Sequence, residues 1–175
     1  MKIWTMCLMA TLATSAWSAS FYVSKSGSNA NGTSWATAWN ELNQINWTSV
    51  NPGDTVKIGG GTYTSTLSAS RAGSSGNRIL IRRATESGHD GKVTLPLLSV
   101  TQPYITVDGI DYNLFEITNS NNADMVYVNT GNHSDFVDVN AGAKVSRYAW
   151  GGDYHHWFRK RLRRLRRALE DRYGA

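Results

Sequence analysis

Val56-Lys57-Ile58, Ile79-Leu80-Ile81, Ile105-Thr106-Val107 and Val126-Tyr127-Val128 are four short strands of one kind, separated by steps of 23, 26 and 21 residues. A second series, Val93-Thr94-Leu95, Phe115-Glu116-Ile117 and Val137-Asp138-Val139, lies between them with steps of 22 and 22. A period of this size marks one small unit repeated, each copy burying its apolar side only against its neighbours. Two or more strands per repeat, with turns and no room for a crossover helix, predict an all-β chain, a parallel β-helix (solenoid) of about three to five coils.

Alternate residues of a strand face opposite ways. The pairs Val56/Ile58, Ile79/Ile81, Ile105/Val107 and Val126/Val128 are expected to stack inward, with Lys57, Leu80, Thr106 and Tyr127 outward. In the second series Val137 and Val139 are expected inward rather than Phe136 and Asp138, because an unpaired buried Asp138 is costly. Asn119 and Asn140, 21 residues apart, suit a ladder of stacked asparagines.

Outward from this core, the sequence divides into three. Residues 1–19 carry Lys2, an apolar run from Met6 to Ala13 and the small-residue end Ala16-Trp17-Ser18, which together read as a signal peptide. That predicts a secreted protein, extracellular or periplasmic. The single cysteine, Cys7, falls inside this leader, so residues 20–150 hold together without disulfides. Within that domain Trp35, Ala38, Trp39, Leu42 and Ile45 are spaced like one face of a helix, with Ser34 as N-cap. A capping helix there would cover the open first coil.

Residues 151–175 differ. From Arg159 to Arg172 there are eight Lys or Arg against Glu170 and Asp171. Without those residues the chain holds ten positive and eleven negative groups, so the net charge of +5 belongs to this segment alone. Phe158, Leu162, Leu165 and Leu169 give it the pattern of a basic amphipathic helix. Three readings stand together: contact with an anionic membrane or polyanion, a C-terminal cap, or a segment foreign to the domain.

The stretches FYVSKSGSNANGTSWATAWNEL (21–42), NPGDTVKIGGGTYTSTL (51–67) and GSSGNRILIRRATESGHDGKVTL (73–95) resemble the N-terminal coils of right-handed parallel β-helix proteins of the pectate-lyase-like superfamily. Secreted polysaccharide lyases of the chondroitinase B and family-nine pectate lyase kind show the same order of strands and corners. The sequence departs from them at Arg78, where those proteins commonly carry proline. The resemblance implies β-elimination of an acidic, uronate-containing polysaccharide. The alternative it leaves is a non-catalytic glycan-binding or cell-surface module.

Such an elimination needs a base, a group to neutralise the carboxylate and a donor to the leaving oxygen. The resemblance implies a Lys or Arg base and a calcium held by carboxylates. The carboxylates in reach are Asp108, Asp111, Glu116, Asp124, Asp135 and Asp138, of which Asp135 and Asp138 are taken as calcium ligands. Lys144 and Arg147 are taken to bind the substrate. His155 and His156 have no third partner for a metal. The strand pattern fades after Val139, so the chain reads as truncated, without a complete active site. Nucleic acid is not expected as a partner, and membrane or polyanion contact is expected only through the basic segment.

Overall fold

The computed structural model describes residues 18–111, 113–118, 126–128 and 133–140. Their strands are β1 (Ser20–Val23), β2 (Thr55–Ile58), β3 (Gly61–Thr62), β4 (Leu67–Ala69), β5 (Ile79–Arg83), β6 (Val93–Leu95), β7 (Leu98–Val100), β8 (Ile105–Asp108), β9 (Phe115–Ile117), β10 (Val126–Val128) and β11 (Asp135–Val137). All pairings between them are parallel. They form a five-stranded sheet β1-β2-β5-β8-β11 and two three-stranded sheets, β3-β6-β9 and β4-β7-β10. From β2 onward, successive strands fall to the three sheets in turn.

The expected helix-capped solenoid is corrected by this architecture. The described residues show mostly parallel strands in several small sheets, and no α-helix among them. Ladders of two to four residues break at each corner, where turn residues such as Gly53 and Gly88 take positive φ (96° and 82°). The expected basic helix near residue 157 lies outside the described residues.

The capping helix fails for an identifiable reason. Only Leu42–Gln44 turns, as a short 3-10 segment. Trp39 is committed to the edge of the five-stranded sheet: its N–H donates to Tyr22 O at 3.1 Å, and its carbonyl accepts from Ser24 N–H at 2.8 Å. That bridge to Val23 requires extended backbone at Trp39. Ser34 does not cap a helix, and instead exchanges side-chain hydrogen bonds with Thr37. The exposed edge of β1 is thus covered by a loop, which removes an open strand template.

Register confirms part of the inward pattern and corrects the rest. Phe21, Val56, Ile81, Val107 and Phe136 are aligned across the five strands. The first four are buried and Phe136 is partly buried against them. Val126–Val128 does not extend this column, because β10 pairs with β7 in another sheet. The place beside β8 goes to β11. Nor do Val137 and Val139 point inward together: Phe136 and Val139 pack on the core. Asp138 has φ of 50°, and this bend between them exchanges the faces while leaving Asp138 exposed. Asn140 bridges Glu116 in the second sheet, whereas Asn119 lies outside the described residues.

Of the three buried polar residues among those described, Ser24, Asp54 and Arg83, the two charged ones are satisfied by backbone. Arg83 occupies an inward position of β5 and is only 6% exposed. It donates from Nε to Gly109 O at 3.1 Å and from Nη1 to the carbonyls of Ala84 and Asp90. Asp54 accepts from the N–H groups of Ala19 and Asn51, both at 2.8 Å, and so ties the start of β1 to the turn before β2.

Because Ile81 is fully buried in the middle of the aligned column, Ile81→Ala should cost about 2–5 kcal/mol and Ile81→Val about 0.5–1.5 kcal/mol. Urea unfolding of both variants, with unchanged slope, is the check. A loss below about 1 kcal/mol for the alanine variant would mean the column does not carry the core.

Candidate functional site

The outer face of the five-stranded sheet carries a row of side chains that is set by register. Tyr22, Lys57, Arg82 and Asp108 are successive partners on β1, β2, β5 and β8. Each strand step is about 4.8 Å, so the row places two cations side by side between a phenol and a carboxylate. Lys57 pairs with Glu86, and its ammonium lies 5.7 Å from the centre of the Tyr22 ring. Arg82 Nη2 is 3.9 Å from Asp108 Oδ2, at the limit of an ion pair. Arg82 Nε is buried and has no hydrogen-bond partner.

At the C-terminal ends of β1 and β2 this row meets three aromatic rings. Tyr22 meets Trp35 edge to face, with centroids 4.7 Å apart. Trp35 and His89 are stacked 3.8 Å apart with planes 6° from parallel. Gly59 lies against the indole, where a Cβ would come within 3.3 Å of Trp35 Cζ3. The turn carrying His89 is held by Gly60 N–H donating to His89 O at 2.8 Å. Trp35, Tyr22 and His89 are all half-buried. The spacing in the sequence placed Trp35 on the apolar face of a capping helix; its position beside a glycine corner was not legible locally.

A second polar cluster surrounds Glu41, which receives hydrogen bonds from Lys25, Ser65 Oγ at 2.8 Å, and Thr64. Burial alone pushes the Glu41 carboxyl up, but the hydrogen bonds from Lys25, Ser65 and Thr64 and the Lys25 charge outweigh it, and the pKa falls to about 2. The Lys57 hydrogen bond likewise lowers Glu86, against a smaller opposing effect of burial. Burial and the Glu41 charge push the Tyr63 phenol upward. Its hydroxyl donates to Gly59 O at 2.8 Å, which makes it a structural strut.

The residues expected to bind metal and substrate are distributed as follows. Asp135 lies on β11 and forms an ion pair with Arg78 at 3.1 Å. Asp138 is exposed at the bend after β11. Lys144 and Arg147 lie outside the described residues, as do Asp124, His155 and His156. Glu116 pairs with Lys92 at 2.7 Å. Asp108 and Asp111 accept from the N–H groups of Ile110 and Asn113, as turn-forming carboxylates do. Among the described residues no group of three or more His, Cys, Asp or Glu is placed to hold a metal ion. Also among them, no helix is long and apolar enough to cross a membrane.

Comparison with known proteins gives a match to a family profile. The profile described as "Epoxyqueuosine reductase QueG, DUF1730" matches residues 122–175, less than half of the chain. No curated protein and no solved structure matches the chain. The match overturns the pectate-lyase-like resemblance, and with it β-elimination of a polysaccharide, the glycan-binding alternative and the picture of a secreted carbohydrate-active protein. The motifs that carried that resemblance are corner chemistry: the Pro-Gly-Asp turn needs Gly53 at φ 96°, and such needs recur wherever short parallel strands turn. The matched stretch begins upstream of β10 and β11, yet both strands pair with β7 and β8 of the preceding sequence.

Glu41 and Glu86 both have folded pKa values below their unfolded ones, so each contributes stability above its ordinary value of 4.5 that is lost as pH falls. For Glu41 the loss should run from about pH 4.5 down to about 2. Glu41→Gln should lower stability at pH 7 by about 1–3 kcal/mol and flatten the acid limb. Thermal melts from pH 7 to pH 2 are the check; an acid limb as steep in the variant as in the parent would assign it elsewhere.

Proposed function

We propose that the chain acts on RNA, its C-terminal part serving as an epoxyqueuosine-reductase-like segment that contacts a transfer RNA carrying the modified nucleoside. The observation that carries this reading is the family match at 122–175, which encloses the run of eight Lys and Arg between 159 and 172. Such a run neutralises phosphates, and contact with a polyanion through this segment was the part of the sequence reading that did not depend on a sugar substrate. Under this proposal the polyanion is RNA, in place of the expectation that nucleic acid is not a partner.

The redox half of such a reaction does not come from these residues. The iron–sulfur cluster associated with that domain family calls for four cysteine thiolates, and the chain has one cysteine, Cys7. The side chains present do not fit the group, so the reading is one of RNA engagement.

Filter binding of the full chain to transfer RNA tests it. Affinity should fall steeply with salt, with a log–log slope of about −4 to −7. Replacing Arg163, Arg164, Arg166 and Arg167 with Gln should weaken binding at least about tenfold and reduce the slope by about 3. No binding at about 50 mM salt, or affinity independent of salt, would overturn the proposal.

A further inference from the structure

We propose that the outer face of the five-stranded sheet holds a second, independent site, which takes single-stranded RNA: a base stacked with the His89 ring and phosphates against Lys57 and Arg82. It rests on the reading of the chain as RNA-engaging and adds a place on the folded unit where bases are held.

The ring geometry comes first. The Trp35 indole stacks on His89, and a Cβ at Gly59 would come within 3.3 Å of its Cζ3, so the pair sits against a glycine corner. His89 is half-buried, and among the described residues no ring other than Trp35 lies against its imidazole. The 3.8 Å spacing and 6° tilt of the pair are those of stacked planar rings, and a base would continue the stack at the same spacing. The polar edges are also uncommitted. Neither the His89 ring nitrogens, Trp35 Nε1 nor the Tyr22 hydroxyl hydrogen-bonds to another described residue. Hydrogen bonds along base edges or to a ribose hydroxyl would use them.

The charges come second. Lys57 and Arg82 are adjacent in register within the same face. Arg82 Nε is buried without a partner, while its Nη2 stands 3.9 Å from Asp108. The buried Nε leaves the part-exposed Nη groups, held by Asp108 only at 3.9 Å, as the donors that a phosphate oxygen would meet. Lys57 is held by Glu86, a partly exposed pair of the kind that exchanges partners readily. Rings for bases and cations for the intervening backbone, on one face, are what single-strand recognition without sequence readout requires.

The test separates this face from the basic segment. The full chain carrying Gln at 163, 164, 166 and 167 is titrated with a hexa-adenylate, and binding is read by tryptophan fluorescence and by filter retention. Saturable binding with quenching is expected. His89→Ala should weaken it about tenfold, and Trp35→Phe should remove most of the quench. Lys57→Gln with Arg82→Gln should reduce the salt slope by about 1–2 and leaves the ring stack in place should His89→Ala disturb the fold. Failure of the hexa-adenylate to bind, while the parent chain still binds transfer RNA, would overturn this site and leave the basic segment's role standing. Binding that persists with the basic segment neutralised, while transfer RNA binding proves indifferent to those arginines, would support this site and overturn that role. Equal binding of an uncharged maltohexaose, sensitive to the same substitutions, would overturn the assignment to RNA.

Discussion

Alignment of Phe21, Val56, Ile81, Val107 and Phe136 across five parallel strands is the constraint on which the remaining structure depends. Each strand offers only three to five residues to this sheet, too few to bury an apolar face alone. Register turns these short segments into a continuous column, and the column fixes which residues appear outside. Shifting any one strand by a single residue would send its apolar side chains to solvent and its charges inward. The outer row of Tyr22, Lys57, Arg82 and Asp108 is therefore a by-product of the inner one, positioned by the packing behind it.

Corners are where this arrangement becomes polar. Arg83 continues the inward face of β5, yet it carries a charge into the interior with no carboxylate beside it. Three carbonyls from the turns around residues 84, 90 and 109 accept its hydrogen bonds. Arginine suits this because its planar fork reaches several acceptors from one stem. The corner at Gly109 is equally tight: a Cβ there would meet Asp138 O at 2.0 Å. Backbone approaches of this kind join the turn after β8 to the bend after β11, so the order of the last strand is set by corners as much as by its own sequence.

Residues 126–128 and 135–140 belong to two descriptions at once. They are hydrogen-bonded into sheets begun far upstream, and they fall within the stretch matched by the reductase family. Backbone ladders are made by any sequence of suitable alternation, whereas a family match reads side-chain identity. The basic run on which the proposed RNA contact rests begins at Arg159, beyond the last strand among the described residues. Folded strands and a polyanion-binding segment are compatible within one chain on these grounds.

By itself the sequence determined that β2, β5, β6, β8 and β9 would be strands and which residues of β2, β5 and β8 would be inward. Alternation of β-branched and polar residues is a local signal, and burial acts on it directly. Sequence also showed that the net positive charge belongs to the segment from Arg159 to Arg172. What it could not determine was partnership. Periodicity grouped Val126–Val128 with the first series, and only the tertiary structure placed it beside β7. A helical spacing from Trp35 to Ile45 lost to the sheet edge, since Trp39 gains two backbone hydrogen bonds to Tyr22 and Ser24 by staying extended. Leu67–Ala69 and Leu98–Val100, three-residue strands among serines, had no periodic signal long enough to detect. The ring stack was hidden for the same reason: Trp35 and His89 are 54 positions apart, and nothing local in either shows that a glycine corner will bring them together.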